Sequence, residues 1–181
     1  MVTQSNLAQV LTAPAFPAIG EAFEGGFLAA YMPAPEGRLF ALIVAPKAEG
    51  QKEDVKWKTS YTKTKGADSY VDGFANSEAM NDDKHPAAQF CRSLRIGDHD
   101  DWYLPASAEQ AAIWANLGPN HTPVAAFQNG APEAYDSRWY WSSAEFGQDY
   151  AWLQHFDDGY QYGGVKSLDY RGRAVRKVIL I

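Results

Sequence analysis

The sequence predicts a single α+β domain, and three of its features support this fold class. Two strongly β-prone runs, 38–45 and 174–181, lie far apart in a chain of 181 residues. Two segments between them, 85–94 and 107–117, carry the signals of short helices. After the second helix, the sequence is rich in aromatic residues and glycines, which is typical of several short strands joined by tight turns.

Residues 1–36 are predicted to form an N-terminal arm, separate from a domain at 37–181. Prolines and glycines interrupt this segment after a short predicted helix at 6–11. The segment nevertheless keeps apolar residues, such as Phe16 and Phe27, that a free linker does not need. We interpret the arm as packing on its own domain or on a partner, for anchoring or as an oligomer contact. The alternative is an adherent segment without a role of its own.

The two helices have recognisable starts. Pro86 suits the first turn of a helix over 85–94, because the N–H that proline lacks would have no partner there. Ser107 and Gln110 match a capping box, in which each side chain satisfies the other's free backbone N–H. The second helix is therefore predicted to begin at Ser107 and to end at Leu117.

Short strands are predicted near 138–143, 150–156, 160–166 and 173–181. Four aromatic residues are expected in the core, because such side chains bury much apolar area: Trp102, Trp141, Trp152 and Phe156. Arginines near the end of the chain are expected to form structural ion pairs or stacks rather than an anion site, close to three aspartates: Arg171, Arg173 and Arg176 near Asp157, Asp158 and Asp169.

The order of motifs in this region resembles a known family. The motifs are WYLP at 102–105 before the second helix, YWSSAE at 140–145, AW at 151–152, FDDG at 156–159 and RAVR at 173–176. This order resembles the Lcl C-terminal domain family, a domain of unknown function with the C-type-lectin-like fold. That family is related to the variable proteins of diversity-generating retroelements. The resemblance implies an α+β fold with two helices, short antiparallel sheets and paired terminal strands, 38–45 against 174–181.

The resemblance also implies where a ligand would bind. In the retroelement variable proteins, the segment that corresponds to 146–170 displays its side chains on the ligand-facing surface. Tyrosine suits such a surface, because it offers a large contact area with little loss of rotamer freedom. An ordinary solvated face is the alternative. The predicted ligand-binding residues are Gln148, Asp149, Tyr150, Gln154, His155, Asp157, Tyr160, Gln161, Tyr162, Lys166 and Tyr170.

Metal-dependent and catalytic functions are not expected. Calcium-dependent lectins carry Glu-Pro-Asn or Gln-Pro-Asp and a later Trp-Asn-Asp, and this sequence has none of these strings. The run 98–101 could bind a cation, but such a run is more often a polar turn. The resembled family is also related to the sulfatase-modifying family, which uses a pair of cysteines for oxidative chemistry, whereas this chain has only Cys91. No histidine motif places a base beside Ser142 or Ser143. We therefore predict no enzyme activity, no metal site and no cofactor.

The composition limits the kinds of partner and compartment that are expected for the protein. The net charge of −6 and the absence of a basic stripe argue against nucleic-acid binding through phosphates. No signal peptide or transmembrane run is recognised, so no membrane insertion is expected. A lone cysteine rules out an intrachain disulfide and favours synthesis in a reducing cytosol.

The resulting hypothesis is a non-catalytic recognition protein. The phrases at 17–21 and 23–27 resemble those of family members from tailed phages and prophages. We therefore expect a virion protein, assembled in the host cytoplasm, that binds a bacterial surface receptor or glycan through the 146–170 face. The arm would hold other virion proteins, and a homo-oligomer is expected. The alternative is a structural decoration or fibre-tip protein whose aromatic face is an oligomer contact.

Overall fold

The computed structural model of the protein describes residues 16–180. The predicted helix at 6–11 and Ile181, the last residue of the predicted terminal strand, lie outside this range. The described chain is α+β, as predicted, with two sheets and four helices. The strands are β1 (Ala22–Phe23), β2 (Gly26–Pro33), β3 (Leu39–Val44), β4 (Gln51–Lys56), β5 (Trp139–Glu145), β6 (Tyr150–His155), β7 (Gln161–Val165), β8 (Asp169–Arg173) and β9 (Val175–Leu180). The helices are α1 (Lys47–Gly50), α2 (Gly73–Ala79), α3 (Pro86–Ser93) and α4 (Ser107–Leu117).

The first sheet joins both ends of the described chain in the order β1-β2-β3-β9. Strands β3 and β9 run antiparallel, with Leu39 opposite Leu180 and Val44 opposite Val175. This confirms the predicted pairing of 38–45 with 174–181. Strand β2 comes from the segment predicted as the arm, and it pairs along its length with β3. Leu28 and Ala29 of β2 are fully buried, so this part of the segment belongs to the sheet.

The second sheet has the order β4-β8-β5-β6-β7 and is antiparallel except between β5 and β8. Two buried tryptophans tie its strands together. The Trp141 Nε1–H donates to the carbonyl oxygen of Val55 at 2.8 Å, and the Trp57 Nε1–H donates to that of Ser142 at 2.9 Å. Strand β7 forms one edge of this sheet, at the surface.

Both predicted helices exist, and the structure adds the shorter α1 and α2. The predicted capping box is wrong in its register. Ala106 is the residue before α4, and the Glu109 carboxylate accepts from its backbone N–H at 2.7 Å. Ser107 and Gln110 instead reach β5, through the Ser142 hydroxyl and the Trp141 carbonyl oxygen. Both are buried, so tertiary contacts outweighed the local capping pattern.

The core holds three of the four aromatic residues predicted for it, since Trp102, Trp141 and Phe156 are fully buried. Trp152 is only partly buried, and that part of the prediction is wrong. The C-terminal arginines do form ion pairs, but with other partners than predicted: Arg171 with Asp136, Arg173 with Glu133 and Arg176 with Asp101.

A carboxylic acid is buried in the first turn of α4. The Glu109 side chain accepts hydrogen bonds from the Tyr103 hydroxyl at 2.8 Å and from the Ala106 backbone N–H. Burial raises the pKa of Glu109 to about 7, although both hydrogen bonds act to lower it. The pKa exceeds its unfolded value, so the stabilisation is complete at acidic pH and is lost as pH rises through about 7.

Replacing this acid should therefore flatten the pH dependence of folding. Between about pH 5 and pH 8, the free energy of unfolding of the wild type should fall relative to Glu109→Gln by on the order of 3 kcal/mol. Urea denaturation at several pH values measures this difference. Equal pH profiles of the two proteins would show that Glu109 does not titrate in this range.

Candidate functional site

Exposed aromatic side chains line a groove on the outer surface of strands β6 and β7. We call it the aromatic groove, and its volume is about 420 Å³. This volume lies within the range of about 300–1,000 Å³ found for small-ligand sites. Tyr150, Tyr160 and Tyr162 are 43–60 % exposed, which is unusual for side chains of this size. The lining residues are Phe146, Tyr150, Trp152, Tyr160, Gln161, Tyr162 and Gly163.

The rings of the groove are ordered by contacts with one another. Tyr160 and Tyr162 lie nearly parallel, with ring centroids 6.2 Å apart and an interplanar angle of 19°. Phe146 and Tyr70 both pack edge-on against Trp152, at 4.7 and 5.7 Å. The Trp152 Nε1–H donates to the Tyr70 hydroxyl at 3.0 Å. Trp152 is thereby held with part of its ring in the groove.

Gly163 makes room for one wall of the groove. It lies opposite Trp152 in the β6–β7 pair. A Cβ atom on Gly163 would lie 2.8 Å from Cδ1 of Phe146, closer than side chains tolerate. The glycine is therefore needed for Phe146 to lie across β7 and contact Trp152.

The polar groups of the groove are uncharged. None of its lining side chains is charged. Within residues 16–180, the hydroxyls of Tyr150, Tyr160 and Tyr162 form no hydrogen bond with another residue, so they are available to a ligand. The arrangement combines flat apolar faces with polar tips, and this combination is typical of recognition surfaces.

The structure narrows the predicted 146–170 face to one part of it. Tyr150, Tyr160, Gln161 and Tyr162 meet in the aromatic groove. Gln154 and Lys166 are buried, and their side chains make contacts inside the fold.

The other predicted residues do not line the groove and have structural contacts. Tyr170 packs edge-on against buried Trp141, with ring centroids 5.0 Å apart. His155 lies 4.8 Å from the Trp139 ring, and Asp157 accepts a hydrogen bond from the Asn120 amide. Gln148 and Asp149 form the turn between β5 and β6, and their carbonyl oxygens both accept from Lys166.

Sequence reasoning missed three rings of the site. Phe146 begins the predicted face but is not among the predicted ligand-binding residues. Trp152 was assigned to the core, because its motif gave no sign that the residue is only partly buried. Tyr70 lies far from β6 in the sequence, and only the fold brings its hydroxyl to the Trp152 indole.

A buried ion pair positions the turn next to the groove. The Lys166 Nζ lies 2.5 Å from Oε1 of Glu145, and the Lys166 side chain is fully buried. The same ammonium donates to the carbonyl oxygens of Thr62 and Gln148, at 3.1 and 2.7 Å. It therefore fixes the turn that follows Glu145 and begins with Phe146.

A second polar cluster lines a cavity of about 590 Å³. The His85 Nδ1 bonds to Asp82 at 2.7 Å, and its Nε2 lies 2.9 Å from the Thr64 hydroxyl. The Lys58 ammonium donates to the same hydroxyl at 2.7 Å. Burial lowers the pKa of His85, against the opposing effect of Asp82. Thr64 and His85 are 7 % and 3 % exposed, so the cluster links the loop around Thr64 to the start of α3.

Metal ligands do not cluster in the described part of the chain. No group of three or more histidine, cysteine, aspartate or glutamate side chains in residues 16–180 could hold an ion. In the run 98–101, Asp101 pairs with Arg176 at 2.7 Å, and His99 lies 3.3 Å from Glu24. Among the same residues, no helix has the length and apolar character needed to cross a bilayer.

Comparison with known proteins identifies the family. The model of the Lcl C-terminal domain matches residues 48–176, which is more than half of the chain. The chain belongs to this family. The resemblance inferred from the motif order is thereby confirmed. The C-type-lectin-like fold and the phage or prophage origin stay predictions.

Comparisons with curated proteins and with solved structures do not extend this assignment. No curated protein matches the chain significantly. Among solved structures, the chain is similar to a fimbrial protein from Bacteroides ovatus ATCC 8483, with 15 % identity and a TM-score of 0.45. The match covers 75 % of this chain and 35 % of that protein, so the chain spans about a third of its length. At this score the likeness carries no argument about function.

Replacing Gly163 with alanine should disturb the groove without unfolding the domain. In Gly163→Ala, the Phe146 ring should move away from Trp152, at a cost in stability below about 1 kcal/mol because Phe146 is exposed. Nuclear Overhauser effects between the two rings measure this. Gly147→Ala is the matched control, since a Cβ there meets nothing within 4 Å. Unchanged ring contacts in Gly163→Ala would contradict this account.

Replacing the buried Lys166 should destabilise the folded domain. Lys166→Met leaves Glu145 buried without its partner, so the free energy of unfolding should fall by about 3–5 kcal/mol. Adding Glu145→Gln should recover part of this loss, because no unpaired charge then remains. The control is Lys56→Met, at an exposed position of β4. A loss no larger than that of the control in urea denaturation would show that the pair contributes little.

Proposed function

We propose that this member of the Lcl C-terminal domain family is a non-catalytic recognition domain that binds a bacterial surface receptor or glycan through the aromatic groove. The proposal includes a role as a phage or prophage virion protein, assembled in the host cytoplasm. Part of the predicted arm outside the described residues would then contact other virion proteins. The observation that carries the proposal is a groove of exposed, mutually ordered rings on one sheet edge.

Energetic considerations support this use of the groove. Aromatic residues at such sites bury large areas at small cost in conformational entropy, and tyrosine and tryptophan dominate binding hot spots. The groove is already assembled in the free chain, through the contacts of Trp152 with Phe146 and Tyr70. Many copies on one particle would convert modest affinity per groove into tight attachment.

The competing proposal is a structural decoration or fibre-tip protein in which the same rings contact a neighbouring copy. Exposed Tyr160 and Tyr162 suit an oligomer interface as well as a ligand site. The two functions differ in the free protein, since an oligomer contact would make its association state depend on these rings.

Truncating either of two exposed tyrosines should weaken cell binding. Tyr160→Ala and Tyr162→Ala should each weaken binding of labelled protein to a panel of bacterial strains by at least about tenfold. Both side chains are more than half exposed and make no hydrogen bond from their hydroxyls, so the melting temperature should stay unchanged.

Tyr61→Ala is the matched control, because Tyr61 is 54 % exposed and does not line the groove. Equal binding by wild type and both groove variants would show that the proposed site is wrong. Loss of self-association in the groove variants, seen by analytical ultracentrifugation without any cell binding, would support the structural alternative.

A further inference from the structure

We propose that the ligand of the aromatic groove is an uncharged carbohydrate, whose rings stack on Tyr160 and Tyr162 and whose hydroxyl groups bind Gln161. This inference rests on the proposed function and names the chemical class of its ligand. Three properties of the groove carry it: its lack of charge, the geometry of its rings and one fixed hydrogen-bond acceptor.

The groove offers no means of recognising a charged ligand. Its lining contains aromatic rings, one amide and one glycine, but no basic or acidic side chain. The nearby Lys166 is buried and paired with Glu145, so its charge is compensated inside the fold. The chain carries a net charge of −6, which also disfavours polyanions. An uncharged ligand is therefore the one that the groove can desolvate at low cost.

The rings suit a ligand that is flat, with apolar faces and a polar rim. Tyr160 and Tyr162 both line the groove, are nearly parallel and are more than half exposed, so ring surface is available to a ligand. A pyranose has C–H groups on its faces and hydroxyl groups around its edge. Stacking buries the C–H face against an aromatic ring, while the free hydroxyls of Tyr150, Tyr160 and Tyr162 meet the polar edge.

Gln161 supplies a fixed acceptor. Its Nε2 donates to the Ser107 carbonyl oxygen at 2.9 Å and to Oε1 of Gln154 at 2.7 Å. Gln154 is oriented in turn, because its own Nε2 donates to the Gly159 carbonyl oxygen. Exchanging the nitrogen and oxygen of the Gln161 amide would place its Oε1 against the Ser107 carbonyl oxygen and Oε1 of Gln154. The orientation of the amide is therefore fixed. Its Oε1 accepts no hydrogen bond from residues 16–180 and is not buried, so it calls for a donor on the ligand.

This acceptor separates a carbohydrate from a proline-rich peptide, the other common ligand of grooves lined by aromatic residues. Proline has no backbone N–H, so a proline-rich segment offers mainly carbonyl oxygens. Such a ligand would leave Oε1 of Gln161 without a donor. Sugar hydroxyls are donors and acceptors at once, and they satisfy both this oxygen and the tyrosine hydroxyls.

The test compares binding of the whole chain to bacterial cells after three treatments. Periodate cleaves the vicinal diols of sugars, proteinase K removes surface proteins, and raising NaCl from about 0.05 to 0.5 M screens ionic contacts. Periodate should reduce binding by at least about tenfold, whereas protease and salt should change it by less than about twofold. Isothermal titration with maltohexaose, cellohexaose and chitohexaose adds a measurement that needs no cells.

Failure of this inference differs from failure of the proposed function. Binding that needs Tyr160 and Tyr162 but survives periodate and is lost with protease would overturn the carbohydrate and leave the recognition site standing. Binding that is lost at high salt would show that ionic contacts hold the ligand. It would overturn only the inference that the ligand is uncharged. Binding that ignores both tyrosines, or no binding to any cell and any of the three oligosaccharides, would overturn both proposals.

Discussion

Lys166 is the point at which the surface of this domain is tied to its interior. Its ammonium binds Glu145 and the carbonyl oxygens of Thr62 and Gln148. Its backbone carbonyl oxygen accepts from the N–H groups of both Trp57 and Lys58. Two loops and the end of β4 therefore converge on one residue. A buried charge is tolerated only when it is paired and hydrogen-bonded, so this convergence specifies one arrangement of the turn beside the groove.

Neighbouring aromatic residues have opposite roles in the second sheet. Trp141 on β5 is fully buried and its indole N–H binds a backbone carbonyl oxygen, which fixes strand packing. Trp152 on β6 is only partly buried, and its indole N–H binds the hydroxyl of exposed Tyr70. The face of the strand decides the difference, since both strands have neighbours on each side. Along β6, Ala151 and Leu153 are buried, whereas Tyr150 and Trp152 at the alternate positions are not. The rings of the groove thus belong to the outer face of a sheet whose inner face supplies the core.

Sequence reasoning succeeded where the structure suggested by a local sequence pattern is also the one that the tertiary contacts favour. The paired terminal strands β3 and β9 were predictable from two β-prone runs together with a family resemblance. Strand β2 was missed because glycine and proline bound an apolar run that was interpreted as an arm. The bounds of α4 were predicted correctly, but its capping box lies at Ala106 and Glu109 because Ser107 and Gln110 bind β5. The tyrosines of the site were predictable from composition and family, whereas Tyr70 reaches it only through the fold.

The free hydroxyls of Tyr150, Tyr160 and Tyr162 bear on how such a domain could change over evolutionary time. These side chains make no hydrogen bond that holds the described chain together, and they stand on a strand pair at the edge of a sheet. Under the proposed function, substitutions there would alter what the surface recognises and leave Lys166, Trp141 and the sheet order untouched. Selection can therefore act on specificity at these positions almost independently of selection on folding.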